Sequence, residues 1–114
     1  AMGEAVALAR AHGIGAEPFL QVLTSTLFAS PVYQGYGSLI AAERYEPAGF
    51  EVSLGLKDIR LALAAADALS VPMPFASILR DNLLEAMATG GAHKDWSALA
   101  ELAARRAGLD RHQN

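Results

Sequence analysis

The chain contains no cysteine among its 114 residues. Disulfide bonds and thiolate metal sites are therefore excluded. The three histidines, His12, His93 and His112, lie far apart in the sequence and do not have the spacing of metal ligands. The sequence accordingly predicts no metal site.

Positive charge is scarce as well. The formal net charge is −3, and lysine occurs only as Lys57 and Lys94. Proteins that bind nucleic acid neutralise its phosphates with clustered lysine and arginine. The arginines here are scattered, apart from the pair Arg105 and Arg106. We therefore expect no nucleic-acid partner.

Long hydrophobic runs and the short signatures of complete active sites are missing too. No apolar run approaches the roughly 20 residues of a membrane span, so we expect no signal peptide, no membrane partner and a cytoplasmic location. The motifs GxSxG and HExxH do not occur. The nearest approach to a phosphate-binding glycine loop, GYGSL at residues 35–39, has no preceding strand and lacks the third glycine. These absences argue against a complete enzyme in this chain.

The composition that remains favours helices. Hydrophobic residues make up 53% of the chain, and the apolar excess comes largely from alanine, the residue that forms helices most readily. No segment alternates with the period of two expected of a half-buried strand. The sequence predicts one all-α domain over residues 1–114, a compact bundle of five to six helices.

Helix periodicity and breakers give approximate boundaries. The predicted helices are residues 3–12, a second from Glu17 to about residue 29, a short third at 38–45, a long fourth at 54–70, a fifth with an apolar face of Phe75, Ile78, Leu79, Asn82, Leu83 and Ala86, and a last at 96–107. Residues 30–37 are expected to be flexible, and Asp95 is expected to cap the last helix. The first helix has no capping residue, so we expect it to begin upstream of Ala1.

Lys57 and Asp58 lie together near the start of the long apolar helix. The pair has two interpretations. It is a solvated surface pair, in which the lysine stem lies along apolar surface, or it offers an ammonium and a carboxylate to a cleft. Spacing and composition do not decide between them.

A set of motifs around this pair resembles the C-terminal domain of the 3-hydroxyisobutyrate dehydrogenase (β-hydroxyacid dehydrogenase) family, to which 6-phosphogluconate dehydrogenase is more distantly related. The motifs are Phe50, the Lys57–Asp58 pair seven residues later, an alanine-rich helix, a turn with two prolines (VPMP, residues 71–74), and a tail of the form Gly-x-x-x-Asp-x-Ser-Ala-Leu at residues 91–99. The opening residues 3–23 are similar to that family's interdomain helix and its successor. The resemblance covers essentially the whole chain.

The resemblance implies a role for three residues. It places Lys57 at a nicotinamide cofactor, NAD or NADP. It places Asp58 beside a catalytic lysine that it helps to orient, and Phe50 in the active-site wall. For Phe50, ordinary core packing is an equally good interpretation.

The resemblance also implies what this chain would lack. The family's Rossmann domain with its glycine fingerprint, the substrate-binding Ser-Gly-Gly segment and the catalytic lysine are all absent. We therefore expect a C-terminal, substrate-side domain that is inactive alone. Its partners would be its own Rossmann domain, a small hydroxy-acid or semialdehyde substrate, and further copies in a homo-oligomer. The alternative is a non-catalytic helical dimerisation module.

Overall fold

The computed structural model describes residues 1–109. The last five residues of the predicted domain, including His112, lie outside the described part. Within residues 1–109 there are six α-helices, one short 3₁₀ turn and no β-strand, which confirms the predicted all-α fold. The helices are α1 (Met2–Ala11), α2 (Ala16–Thr24), α3 (Pro31–Ala42), α4 (Val52–Ala68), α5 (Pro74–Ala88) and α6 (Leu99–Arg106), and the 3₁₀ turn is Trp96–Ala98.

The chain separates into two compact units. The four-helix unit comprises Ala1–Tyr45 and residues 97–109, and contains α1, α2, α3 and α6. The two-helix unit comprises Glu46–Trp96 and contains α4 and α5. The six helices are thus divided between two compact units.

The core of the four-helix unit consists of small and medium-sized apolar side chains. Its buried members are Val6, Leu20, Ile40, Tyr45, Ala98 and Ala100. Helices α1 and α6 approach so closely that a Cβ atom on Gly3 would lie 2.7 Å from the Cα atom of Ala100. Glycine is therefore required at position 3 by the distance between two helix backbones.

In the two-helix unit, α4 and α5 pack through one face of each helix. The buried residues are Val52, Gly55, Leu56 and Ala66 on α4, and Ala76, Leu83 and Ala86 on α5. The predicted stripe on α5 is wrong in its first half, because Phe75, Ile78 and Leu79 are exposed. The small side chain of Ala76 faces the core instead, since alanines allow two helices to approach closely.

Three of the predicted helix boundaries are also wrong. The second helix was expected to reach about residue 29, but α2 ends at Thr24. Residues 31–37, predicted to be flexible, form the first half of α3, where the Ser30 Oγ accepts a hydrogen bond from the Tyr33 amide and Pro31 occupies the first turn. The last helix begins at Leu99 rather than residue 96, and its N-cap residue is Ala98. The 3₁₀ turn occupies the three positions between.

Candidate functional site

The candidate site begins in the loop that leads into α4, and a buried carboxylate holds this loop in place. Asp95, which is only 2% exposed, accepts hydrogen bonds at its Oδ1 from the backbone amides of Gly49 (3.1 Å) and Phe50 (3.0 Å). The Trp96 amide donates to the Phe50 carbonyl at 2.8 Å. Both peptide groups of Phe50 are thereby tied to residues 45 or more positions further along the chain.

The Phe50 side chain packs against the Trp96 ring. The two rings meet edge to face, with centroids 5.2 Å apart and planes at 84°. Both lie over Gly55, where a Cβ atom would be 3.5 Å from the Phe50 ring and 3.6 Å from the Trp96 ring. Phe50 is half-buried and Trp96 is 38% exposed. The core-packing and active-site-wall interpretations of Phe50 are therefore compatible, because the ring is packed on one side and accessible on another.

The N-terminus of α4 does not present its first amides to a ligand. The Val52 amide donates to the Lys94 carbonyl at 2.9 Å, and the Ser53 amide donates to the Ala92 carbonyl at 3.2 Å. A helix N-terminus binds phosphate through such amides when they are unpaired. A phosphate near α4 would therefore depend on side chains for its contacts.

Lys57 and Asp58 lie in the second turn of α4, and both are exposed. Within residues 1–109 neither has an ion-pair or hydrogen-bond partner, and they do not pair with each other. Leu54 and Leu61, which are one helical turn away on either side, are also exposed. The helix dipole does not account for Asp58, because that effect is confined to the first turn.

The structure thus places the three predicted site residues on one short stretch of one unit. Phe50 precedes α4, and Lys57 and Asp58 follow in its second turn. An ammonium group there can bind a phosphate or an amide oxygen, and a carboxylate can accept a hydrogen bond from a neighbouring amine. The partly exposed Phe50 and Trp96 rings offer apolar surface.

Three cavities are lined by residues of the four-helix unit, and none of the three includes Phe50, Lys57 or Asp58. The first has a volume of about 280 Å³, and its wall includes Arg10, Glu43, Tyr45 and Glu101. Among residues 1–109, no group of three or more histidine, aspartate or glutamate side chains is arranged to hold a metal ion. No helix in the same range is long and apolar enough to cross a membrane.

Residues 1–103 match the family model described as "NAD-binding of NADP-dependent 3-hydroxyisobutyrate dehydrogenase". The chain belongs to this family. Its membership confirms the resemblance seen in the sequence, and it confirms NAD or NADP as the cofactor of the full-length enzymes of this family.

Individual relatives in this family agree with the assignment. The chain is 41% identical over 99 residues to the uncharacterized oxidoreductase YfjR of Bacillus subtilis, covering 87% of this chain and 34% of that protein. It is 32% identical over 101 residues to glyoxylate/succinic semialdehyde reductase 1 of Arabidopsis thaliana, covering 89% and 35%. The crystal structure of 3-hydroxyisobutyrate dehydrogenase from Salmonella typhimurium superimposes with a TM-score of 0.81 and 27% identity, covering 89% of this chain and 35% of that one. The chain therefore spans about a third of the length of the relatives it matches.

The residues of this family member fit one side of a dinucleotide. An exposed lysine such as Lys57 can bind a phosphate or amide oxygen, and partly exposed aromatic rings such as those of Phe50 and Trp96 can pack against another ring. The glycine-rich turn that holds a pyrophosphate against a helix N-terminus does not occur in the 114 residues. The donor set is thus suited to completing a cofactor site rather than to forming one alone.

Sequence reasoning missed the part that Asp95 and Trp96 play in this site. Asp95 was expected to cap the last helix, and Trp96 was expected to be the first residue of that helix. The N-cap residue of α6 is Ala98, and both Asp95 and Trp96 contact the Phe50 loop. The signal was the tail motif at residues 91–99, but its partner lies 45 residues earlier, and helix periodicity does not detect contacts at that separation.

Proposed function

We propose that this chain is the C-terminal helical domain of an NAD(P)-dependent β-hydroxyacid dehydrogenase that interconverts a 3-hydroxy acid and its semialdehyde. In this proposal a Rossmann domain and a catalytic lysine come from another part of a longer protein. The 114-residue chain alone is inactive, because it contains neither a glycine-rich pyrophosphate-binding loop nor the catalytic lysine that acts as general acid and base.

The observation that carries the proposal is the state of Lys57 and Asp58. Both charges are exposed on one helical turn and have no ion-pair partner among residues 1–109. Exposed leucines lie one turn before and after them. The charged groups of Lys57 and Asp58 are therefore available to a cofactor or to a second domain. Their free ends suit a face that is completed by a second domain.

Each of the three residues has a role in the proposed reaction. Lys57 holds the cofactor through a charge-assisted hydrogen bond. Asp58 accepts a hydrogen bond from the catalytic lysine and keeps its amine directed at the substrate hydroxyl, whose proton that lysine takes or returns. Phe50 forms an apolar wall that excludes water from the reacting carbon. When bound, the nicotinamide supplies the hydride acceptor or donor.

Steady-state kinetics of the longer protein tests this assignment. A panel of 3-hydroxy acids is oxidised with NAD and with NADP, using the wild type, Lys57→Ala and Asp58→Asn. We expect Lys57→Ala to raise the cofactor KM about tenfold with little change in kcat, since one charge-assisted hydrogen bond is lost. We expect Asp58→Asn to lower kcat about 10- to 100-fold, as changes in orienting residues do.

The matched controls are Arg44→Ala in the four-helix unit and Asp67→Asn near the end of α4, which change exposed charges away from Lys57 and Asp58. Both should match the wild type. A wild type that turns over no member of the panel would contradict the dehydrogenase assignment. If the wild type is active but both site variants behave like the controls, the dehydrogenase assignment stands. The roles given to Lys57 and Asp58 are then contradicted.

We further propose that the chain forms a homo-oligomer through α5. Phe75, Ile78 and Leu79 are 82%, 57% and 41% exposed and form a continuous apolar stripe at helical spacing. Contiguous apolar surface of this kind marks an interaction site more often than a free surface. The same stripe is what a non-catalytic dimerisation module would use, so association alone does not separate that alternative from an enzyme. The kinetic panel separates them.

Sedimentation velocity of the 114-residue chain tests the association. The wild type should sediment as a dimer or larger species at micromolar concentration, and Phe75→Ser should shift it to the monomer. Leu27→Ser is the control, since Leu27 is 92% exposed in the four-helix unit and lies outside the stripe. A monomeric wild type, or a Phe75→Ser variant that associates as the wild type does, would contradict this use of α5.

A further inference from the structure

We propose that Asp95 is a positioning residue, which fixes Phe50 as a wall of the reaction site and is assisted in this by Trp96. This inference rests on the proposed function, because it gives a purpose to the placement of Phe50. It concerns a carboxylate that neither binds a ligand nor takes part in the chemistry itself.

The first argument is the cost of burying Asp95. A carboxylate that is 2% exposed loses most of its hydration, and this loss must be offset by hydrogen bonds. One oxygen of Asp95 receives the amides of Gly49 and Phe50 at 3.1 and 3.0 Å. The negative charge thus acts on the peptide group immediately before Phe50 and on the one before that.

The second argument is that α4 does not need Asp95 to begin where it does. The first two amides of the helix are paired with the carbonyls of Lys94 and Ala92. The two hydrogen bonds that Asp95 accepts are separate from these, and their donors are the amides of Gly49 and Phe50, which precede the helix. A carboxylate needed only to start α4 would accept from the helix amides themselves.

The third argument is the combined effect of two successive residues on Phe50. Asp95 accepts from the Phe50 amide, the Trp96 amide donates to the Phe50 carbonyl, and the Trp96 ring meets the Phe50 ring edge to face. Backbone and side chain of Phe50 are therefore fixed from one point. Side chains held in this way keep the sub-ångström placement that catalysis requires.

Kinetics of the longer protein with Asp95→Ala and Asp95→Asn tests the proposal. The asparagine side chain would keep an oxygen that accepts the two amides, whereas alanine leaves both unpaired. We expect Asp95→Ala to lower kcat/KM for the hydroxy acid about 10- to 100-fold with an unchanged cofactor KM, since small misplacements cost rates of this order. Asp95→Asn should retain most of the wild-type kcat/KM.

Two controls separate positioning from stability and charge. Leu56→Ala removes a buried side chain from the same unit, and Asp67→Ala removes an exposed carboxylate from α4. Assayed at a temperature where each variant is folded, both should keep the wild-type kcat/KM. The proposal is overturned if folded Asp95→Ala matches the wild type, or if Leu56→Ala loses as much activity.

A local measurement on the 114-residue chain is independent of activity. Amide hydrogen exchange of Gly49 and Phe50 should accelerate about tenfold or more in Asp95→Ala and much less in Asp95→Asn, because their acceptor is lost. The emission of Trp96, the sole tryptophan, should shift as the Phe50 ring leaves it. Unchanged exchange would show that Asp95 does not hold the Gly49 and Phe50 amides, and would overturn the proposal. If exchange accelerates but the wild-type longer protein has no dehydrogenase activity, the hydrogen bonds of Asp95 stand, and their catalytic role falls together with the proposed function.

Discussion

Tyr45 shows how a single buried residue takes its chemistry from its neighbours. Its side chain is 5% exposed and lies at the wall of the cavity of about 280 Å³ in the four-helix unit. Burial raises the pKa of the Tyr45 hydroxyl well above its usual value of 10, and the negative charges of Glu101 and Glu43 raise it further, while Arg10 opposes them. The phenolate form is therefore disfavoured in the folded chain.

This raised pKa predicts a loss of stability in alkali. The folded chain retains the Tyr45 proton where the unfolded chain has lost it, so the contribution is complete below pH 10 and decreases as the pH rises further. The free energy of unfolding should fall by up to about 1.4 kcal/mol per pH unit above pH 10 from this residue alone. Urea unfolding of the wild type and Tyr45→Phe between about pH 8 and 12 measures the difference, and other groups cancel in it. Parallel curves for the two proteins would contradict the assignment.

At the scale of the helices, the sequence predicted most elements but not all of their faces. Alanine content and helix periodicity identified α1, α2, α4 and α5 and the turn between the last two. α3 was missed in its first half because Ser30–Pro31 was interpreted only as the end of α2, although the same pair also starts a helix.

The exposed stripe on α5 could not be located from sequence for a related reason. A helix with apolar residues on two sides can bury either, and the larger residues were assumed to face inward. Here α4 packs closely on α5, and the small residues Ala76 and Ala86 are the ones buried between the two helices. Among the site residues, Lys57, Asp58 and Phe50 were predicted from the resemblance of motifs. The hydrogen bond between Asp95 and the Phe50 amide could be found only from the tertiary structure.

Two glycines give opposite predictions for helix packing. Gly3→Ala should destabilise the chain by about 1 to 3 kcal/mol, because the new Cβ atom would lie 2.7 Å from the Ala100 backbone and force α1 and α6 apart. Gly55→Ala should be neutral or stabilise by up to about 1 kcal/mol, because its Cβ atom would meet only side chains at 3.5 Å or more and alanine favours the helix. Thermal and urea denaturation of both variants measures these changes. A larger loss from Gly55→Ala than from Gly3→Ala would contradict this account of the packing.

At the scale of the molecule, one family model covers helices of both units. The family model matches residues 1–103, which include α1 to α5 and most of α6. The chain covers about a third of the relatives it matches, and its candidate site is an open face with unpaired charges rather than an enclosed pocket. Both features support the proposal that this chain completes a site held mainly by another part of a longer protein.

Equilibrium titration of NADH and NADPH into that longer protein tests the assignment of Lys57 most directly. The dissociation constant of the preferred cofactor should rise about tenfold or more in Lys57→Ala, because a charge-assisted hydrogen bond is lost. It should be unchanged in Arg44→Ala, which removes an exposed arginine of the four-helix unit. A Lys57→Ala variant that binds both nucleotides as tightly as the wild type would contradict the placement of the cofactor on this face of α4.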